Sequence, residues 1–117
     1  MRLRDAASAV TIAIEQIYKD KIYMAAISRT VMNIKTGKMQ EAYDFLDSKT
    51  QMISEIDGLI GFLIAQTDDN ELTGMGVYEN SEAAEAVTPV FMEVMSEMAP
   101  LVDGQSNRGV YPGIWVS

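Results

Sequence analysis

Apolar and polar positions change period several times along this chain, and each change marks an element. From Leu59 to Ala65 the sequence is almost wholly apolar, bounded by Gly58 on one side and Thr67-Asp68-Asp69-Asn70 on the other. So short an apolar run between turn formers predicts a strand rather than a helix. Asp and Asn favour the turn because their side chains bond nearby backbone and tolerate a left-handed conformation. Leu72–Glu79 then resumes as a second strand, completing a hairpin. Gly74 and Gly76 fall on one face of it with Leu72 and Tyr78. That pairing predicts either close approach by a helix, a ligand or a partner chain, or a loose, bulged strand.

The other segments follow from the same patterns. Residues 5–20 place Ala6, Val10, Ile14, Ile17 and Tyr18 at helical spacing, with Asp5 as a cap and Lys19 and Lys21 at the C-terminal end. Alternation of Val10, Ile12 and Ile14 makes a strand the competing reading. Residues 22–34 predict a first strand with apolar residues on both faces, hence covered on both. Tyr23, Ala25, Ile27, Arg29, Val31 and Asn33 share one face; Ile22, Met24, Ala26, Ser28, Thr30 and Met32 share the other. Lys35–Lys38 is a turn. Met39–Ile56 predicts one amphipathic helix with Met39, Ala42, Tyr43, Leu46 and Ile53 inward, ended by Gly58 in a left-handed cap. Asn80 or Ser81 caps a further helix to about Ala99, which Pro89 should kink or split near Thr88 and Pro100 should close. Residues 103–109 read as a loop and 110–116 as a final, irregular strand.

With the N-terminal helix set aside, the order is β-α-β-β-α-β. This is the ferredoxin-like arrangement, an α+β fold whose four-stranded antiparallel sheet carries helices on one face. We divide the chain into an N-terminal helical extension, residues 1–21, and an α+β domain, residues 22–117. The uncovered face predicts a second copy of the chain, a homodimer or higher oligomer.

Composition narrows the chemistry. The 117 residues suffice for one domain with a core. Histidine and cysteine are both absent. That excludes a Ser-His-Asp triad, a histidine base, thiol catalysis, and metal or haem sites built on either residue. The lack of cysteine fits a cytoplasmic chain. A net charge of −8 argues against nucleic acid as a partner, and no apolar run is long enough to span a membrane. Asp5 and Glu15 bracket the apolar stretch near the N-terminus without a good cleavage pattern, which disfavours a signal peptide. Residues 1–38 carry seven Lys/Arg against three Asp/Glu, while residues 39–117 carry two against fourteen. The polarity suits either docking of the N-terminal part on an acidic body or a plain solvated surface. Asp68–Glu71 lacks calcium-loop spacing, and the glycines form no phosphate-binding pattern.

Residues 24–116 resemble the antibiotic-biosynthesis-monooxygenase-like family of the dimeric α+β barrel superfamily. Four features carry the resemblance: the Lys35–Lys38 turn, Asp57-Gly58-Leu59-Ile60-Gly61-Phe62 entering the second strand, Val77-Tyr78-Glu79-Asn80-Ser81 before the second helix, and Thr88-Pro89-Val90-Phe91 breaking that helix. The resemblance implies a homodimeric barrel with a pocket between sheet and helices in each subunit. It also implies cofactor-independent monooxygenation of a quinol or polyketide-type aromatic, or, alternatively, a non-catalytic barrel binding a small apolar ligand or a protein partner. No cofactor is expected. Tyr78 matches a position that is aromatic, often tryptophan, in haem-degrading members; their haem-binding histidine has no counterpart here.

Seven residues are candidates for lining the pocket. Tyr78 and Phe62 come from the hairpin. Trp115 and Tyr111, on one face of the last strand, could stack on an aromatic ligand. Arg29 could hold a phenolate or carboxylate. Ser28 and Thr30, on the opposite face of the first strand, could orient it. Alternation alone leaves open which face lines the pocket. Each residue also has a structural reading: core or dimer interface for the aromatics, an ion pair with a helix carboxylate for Arg29. The nine methionines suit cores and adaptable pockets.

Overall fold

The computed structural model describes residues 25–114. The helix expected over residues 5–20, the extension 1–21, Ile22–Met24 and Trp115 lie outside the described residues.

Four strands form one sheet: β1 (Ala25–Asn33), β2 (Leu59–Asp68), β3 (Glu71–Tyr78) and β4 (Arg108–Gly113). Their spatial order is β2-β3-β1-β4, and every neighbouring pair is antiparallel. Ser28 lies opposite Gly76 and Val110, and Thr30 opposite Gly74 and Arg108. Residues directly opposite one another share a face, so this register settles what alternation could not. Ala26, Ser28, Thr30 and Met32 are buried on one face with Leu72, Gly74, Gly76 and Tyr78. Arg29 and Asn33 are exposed on the other.

The helices cover the first of these faces. Between β1 and β2 run α1 (Met39–Ser48) and α2 (Thr50–Ser54). A single helix over 39–56 was expected; the structure breaks it at Lys49. Hydroxyls there compete for the carbonyls of the ladder: Ser48 Oγ donates to Phe45 O, and Thr50 Oγ1 to Asp47 O at 2.8 Å. Lys49 instead bridges to Glu97 at 2.9 Å on the later helix. Gly58 then turns the chain with φ of 79°. A Cβ at this glycine would lie 2.7 Å from the Ala83 Cβ, so both the conformation and the packing require glycine.

After the hairpin, α3 (Ser81–Ala86) starts from Asn80, whose side-chain oxygen accepts from Ala83 N at 2.7 Å. Val87 links it to α4 (Thr88–Met98), with Pro89 in the first turn, where no donor is lost. Proline thus splits this segment where the sequence placed the split. A 3₁₀ turn, Ala99–Leu101, follows, and Ile34 and Val102 form a bridge beside it. The final strand begins at Arg108 rather than at 110. Pairing of Arg108 with Thr30 and of Gly109 with Arg29 outweighs the weak strand preference of Asn-Arg-Gly.

Two packed clusters sit between sheet and helices. One joins Met32, Ile34, Ala42, Leu46, Leu72, Met98 and Val102; the other joins Ala26, Tyr78, Ala84 and Val87. The opposite face of the sheet has no helix over it among the described residues. Its rows are Gly61–Val77–Ile27–Tyr111, Leu63–Met75–Arg29–Gly109 and Ala65–Thr73–Val31. Leu63 is 64% exposed there, and Met75 and Tyr111 are exposed too.

Candidate functional site

The two core clusters do not meet tightly, and the space between them is a narrow cavity of about 70 Å³. Ser28, Thr30, Gly74, Tyr78, Phe62 and Ile64 form its sheet side. Leu46 and Ile53 close one flank, and Val90, Phe91, Val94 and Met95 of α4 form the roof.

Glycines shape this floor. A Cβ on Gly76 would lie 2.7 Å from Tyr78 Cε2 and 2.9 Å from both Tyr78 Oη and Ser28 Oγ. The tyrosine ring therefore folds back along its own strand into the space that glycine leaves. A Cβ on Gly74 would meet Phe62 Cζ at 3.4 Å, so the phenylalanine ring lies over that glycine. The close approach expected here was by a helix, a ligand or a partner chain; what fills the space over both glycines is instead aromatic side chains of the same sheet, Tyr78 from β3 itself and Phe62 from β2.

The polar groups are few. Ser28 Oγ accepts from Gly76 N at 3.2 Å. Thr30 is 7% exposed, lines the cavity, and makes no side-chain hydrogen bond to the described residues. Tyr78, 1% exposed, meets Arg108, whose Nη2 donates to Tyr78 Oη at 3.4 Å and to Ala84 O at 2.6 Å. Arg108 Nη1 donates to Thr88 Oγ1 at 3.2 Å. The guanidinium carbon stands 5.8 Å from the centre of the Tyr78 ring and 6.0 Å from that of Phe91, within cation–π range. Among the described residues no carboxylate lines the cavity, and none forms an ion pair with Arg108.

The candidate residues thus divide. Ser28, Thr30, Phe62 and Tyr78 come together at the cavity. Arg29 and Tyr111 lie on the other face of the sheet, where with Val31, Asn33, Gln105 and Asn107 they border a shallow depression. Arg108 was not singled out from sequence, because it fell in the segment read as a loop. One signal marked it: it is the sole Lys or Arg in residues 50–117.

Beside the cavity, an open groove of about 410 Å³ runs between β2 and the α1–α2 pair. Cavity and groove share Leu46, Ile53, Phe62 and Ile64 as walls. Phe62 is 41% exposed and forms part of the partition. Benzene occupies apolar cavities of about 150 Å³; an aromatic ligand therefore needs this partition to move. Among the described residues no group of acidic side chains could hold a metal ion, and no helix is long and apolar enough to cross a membrane.

No family model matches the sequence, and no curated protein matches it. Solved structures do. The chain superposes on a Nitrosomonas europaea protein of unknown function with a TM-score of 0.69, at 14% identity over 81% of this chain and 95% of that one. SnoaB, a cofactor-independent oxygenase from Streptomyces nogalater, matches with a TM-score of 0.63 at 11% identity, covering 79% and 95% of the two chains. A second Nitrosomonas europaea structure, provisionally named an antibiotic biosynthesis monooxygenase, gives 0.70 at 14% identity, covering 80% and 94%. The chain has the fold of the antibiotic-biosynthesis-monooxygenase-like proteins. The likeness expected from the Lys35–Lys38 turn, Asp57–Phe62, Val77–Ser81 and Thr88–Phe91 therefore holds at the level of fold. At these identities the likeness extends to architecture and not to chemistry.

Proposed function

We propose that this protein is a cofactor-independent monooxygenase-like enzyme that takes a small aromatic or quinol-type compound into the cavity beside Tyr78. The observation that carries the proposal is a mostly apolar cavity whose polar groups, among the described residues, are Ser28, Thr30, Tyr78 and Arg108. Such a lining excludes water from a carbanion or phenolate and leaves a few groups to orient it. For an anthrone-like substrate, loss of a proton from the ring methylene gives a stabilised carbanion. That carbanion gives electrons to dioxygen and forms a C–O bond. The resulting hydroperoxide loses water, so CH₂ and O₂ become C=O and H₂O. The Tyr78 hydroxyl is the proton-exchanging group of the lining, and a water beside it is the remaining route.

The fold shared with SnoaB supports this reading. A second reading, a non-catalytic barrel that binds a small apolar ligand, is favoured by one observation: among the described residues the lining contains no carboxylate that could act as base. Oxygen uptake with an anthrone and a quinol, measured for the parent chain and Tyr78→Phe, separates the two. Uptake that falls at least about ten-fold in the variant supports the enzyme; binding without uptake supports the second reading. The exposed apolar rows around Met75 support a homodimer in which two such faces meet, and the absence of cysteine suits a cytoplasmic setting.

A further inference from the structure

We propose that Arg108 is the anion-holding group of the cavity, and that the natural ligand is an aromatic or otherwise apolar molecule carrying an acidic group. The proposal rests on the reading of this cavity as a ligand site and adds the charge of what enters it. Arg108 is half-buried at the end of the apolar lining, and no described carboxylate pairs with it. A cation drawn out of water is costly unless an anion or enough acceptors replace its hydration. The acceptors present are all neutral: the Tyr78 hydroxyl at 3.4 Å, the Ala84 carbonyl at 2.6 Å and the Thr88 hydroxyl at 3.2 Å. These three bonds use both protons of Nη2 and one of Nη1, so one Nη1 proton and the Nε proton remain to donate to a carboxylate or phenolate oxygen.

A second residue shares the site. Thr30 lines the same cavity and lies directly opposite Arg108 across the β1–β4 pair. Its hydroxyl and the guanidinium therefore stand at one end of the lining, where a single oxygen-bearing group of a ligand would meet both. Apolar side chains from α4, Leu46 and Ile64 would hold its body.

A matched pair of probes tests the charge. Binding of 2-naphthoate and of 2-naphthamide is measured by calorimetry on the full chain, on Arg108→Met and on Arg108→Lys. The urea midpoint and far-ultraviolet dichroism of each variant verify that it folds. The parent should prefer the acid over the amide by about ten-fold or more, the worth of a charge-assisted bond. Arg108→Met should abolish that preference while amide binding changes by no more than about two-fold. Arg108→Lys should keep part of it, because the charge remains but the guanidinium's remaining N–H donors are lost. Should Arg108→Met fail to fold, Arg108→Lys alone decides: a preference undiminished from the parent refutes the role of the guanidinium. Equal binding of acid and amide by the parent overturns the proposal and leaves the cavity reading standing. Binding of neither probe overturns both. A preference that survives in Arg108→Met places the anion elsewhere and also overturns it. If Arg108 only ties β4 to the end of α3, its loss lowers the urea midpoint without changing the ratio of the two affinities.

Discussion

Replacing Gly76 by alanine adds one methyl group at the floor of the cavity, and the structure gives its cost. The new Cβ would stand 2.7 Å from Tyr78 Cε2, 2.9 Å from Tyr78 Oη and 2.9 Å from Ser28 Oγ. Tyr78 is 1% and Ser28 2% exposed, so neither can swing into solvent to make room. Overpacking of this kind costs about 1–3 kcal/mol, offset by roughly 0.5–1 kcal/mol from the smaller conformational freedom of alanine in the unfolded chain. A net loss of about 1–2 kcal/mol, divided by a urea slope of about 1–3 kcal/mol per molar, lowers the midpoint by roughly 0.3–2 M. Gly61→Ala is the control: it is also a strand glycine, but nothing lies within 4 Å of its Cβ position. It should leave the midpoint unchanged or raise it slightly. Both unfolding curves are taken at one protein concentration, since association would shift them. Gly76→Ala should also weaken ligand binding, because the displaced tyrosine ring takes its contact with Arg108 along. Equal midpoints for the two variants would refute the seating of Tyr78 over Gly76, and with it the shape assigned to the cavity.

Other outcomes follow from single contacts. Phe62→Ala removes part of the wall between cavity and groove, and should admit bulkier aromatic probes with faster association in stopped-flow fluorescence, at a stability cost below the ~3–5 kcal/mol of a fully buried phenylalanine because this one is partly exposed. Asn80→Ala deletes the acceptor for Ala83 N and should destabilise the fold by about 1 kcal/mol in urea, with Asn80→Asp close to the parent. Met75→Asp puts a charge in the middle of the open sheet face; sedimentation velocity should show a smaller species than the parent, and an unchanged sedimentation coefficient would count against a dimer built on that face. Gly58→Ala, strained in φ and blocked by Ala83, should be among the most damaging glycine substitutions in the chain, read as soluble yield and urea midpoint.

Much of the architecture was legible because local and global preferences agree. The short run Leu59–Ala65, the Asp-rich turn, Gly58 as a left-handed stop and Pro89 as a helix divider each require only nearby residues to be understood. What stayed illegible depends on register. Alternation in Ala25–Asn33 assigns Ser28 and Arg29 to opposite faces but not to the inside or the outside, because apolar residues occupy both. Pairing with Gly74 and Gly76 decides it, and pairing is a long-range fact. The Lys49 break arises from Ser48 and Thr50 hydroxyls bonding the carbonyls at Phe45 and Asp47, side chains that the apolar stripe of the helix does not register. Arg108 was missed for the same reason as the start of β4: Ser-Asn-Arg-Gly has no strand pattern of its own, and only the partner strand β1 makes it one. The grouping of Tyr78, Ser28, Thr30 and Phe62 was within reach once the glycine face of β3 was recognised as the inner one.

Among the described residues, every other wall of the cavity comes from residues 28–98, and the one cation comes from residue 108, on an edge strand paired with β1 alone. A single proteolytic cut in the loop before Arg108 would therefore separate the charge from the greasy lining, and the acid recognition proposed for this site would be among the properties such a cut removes.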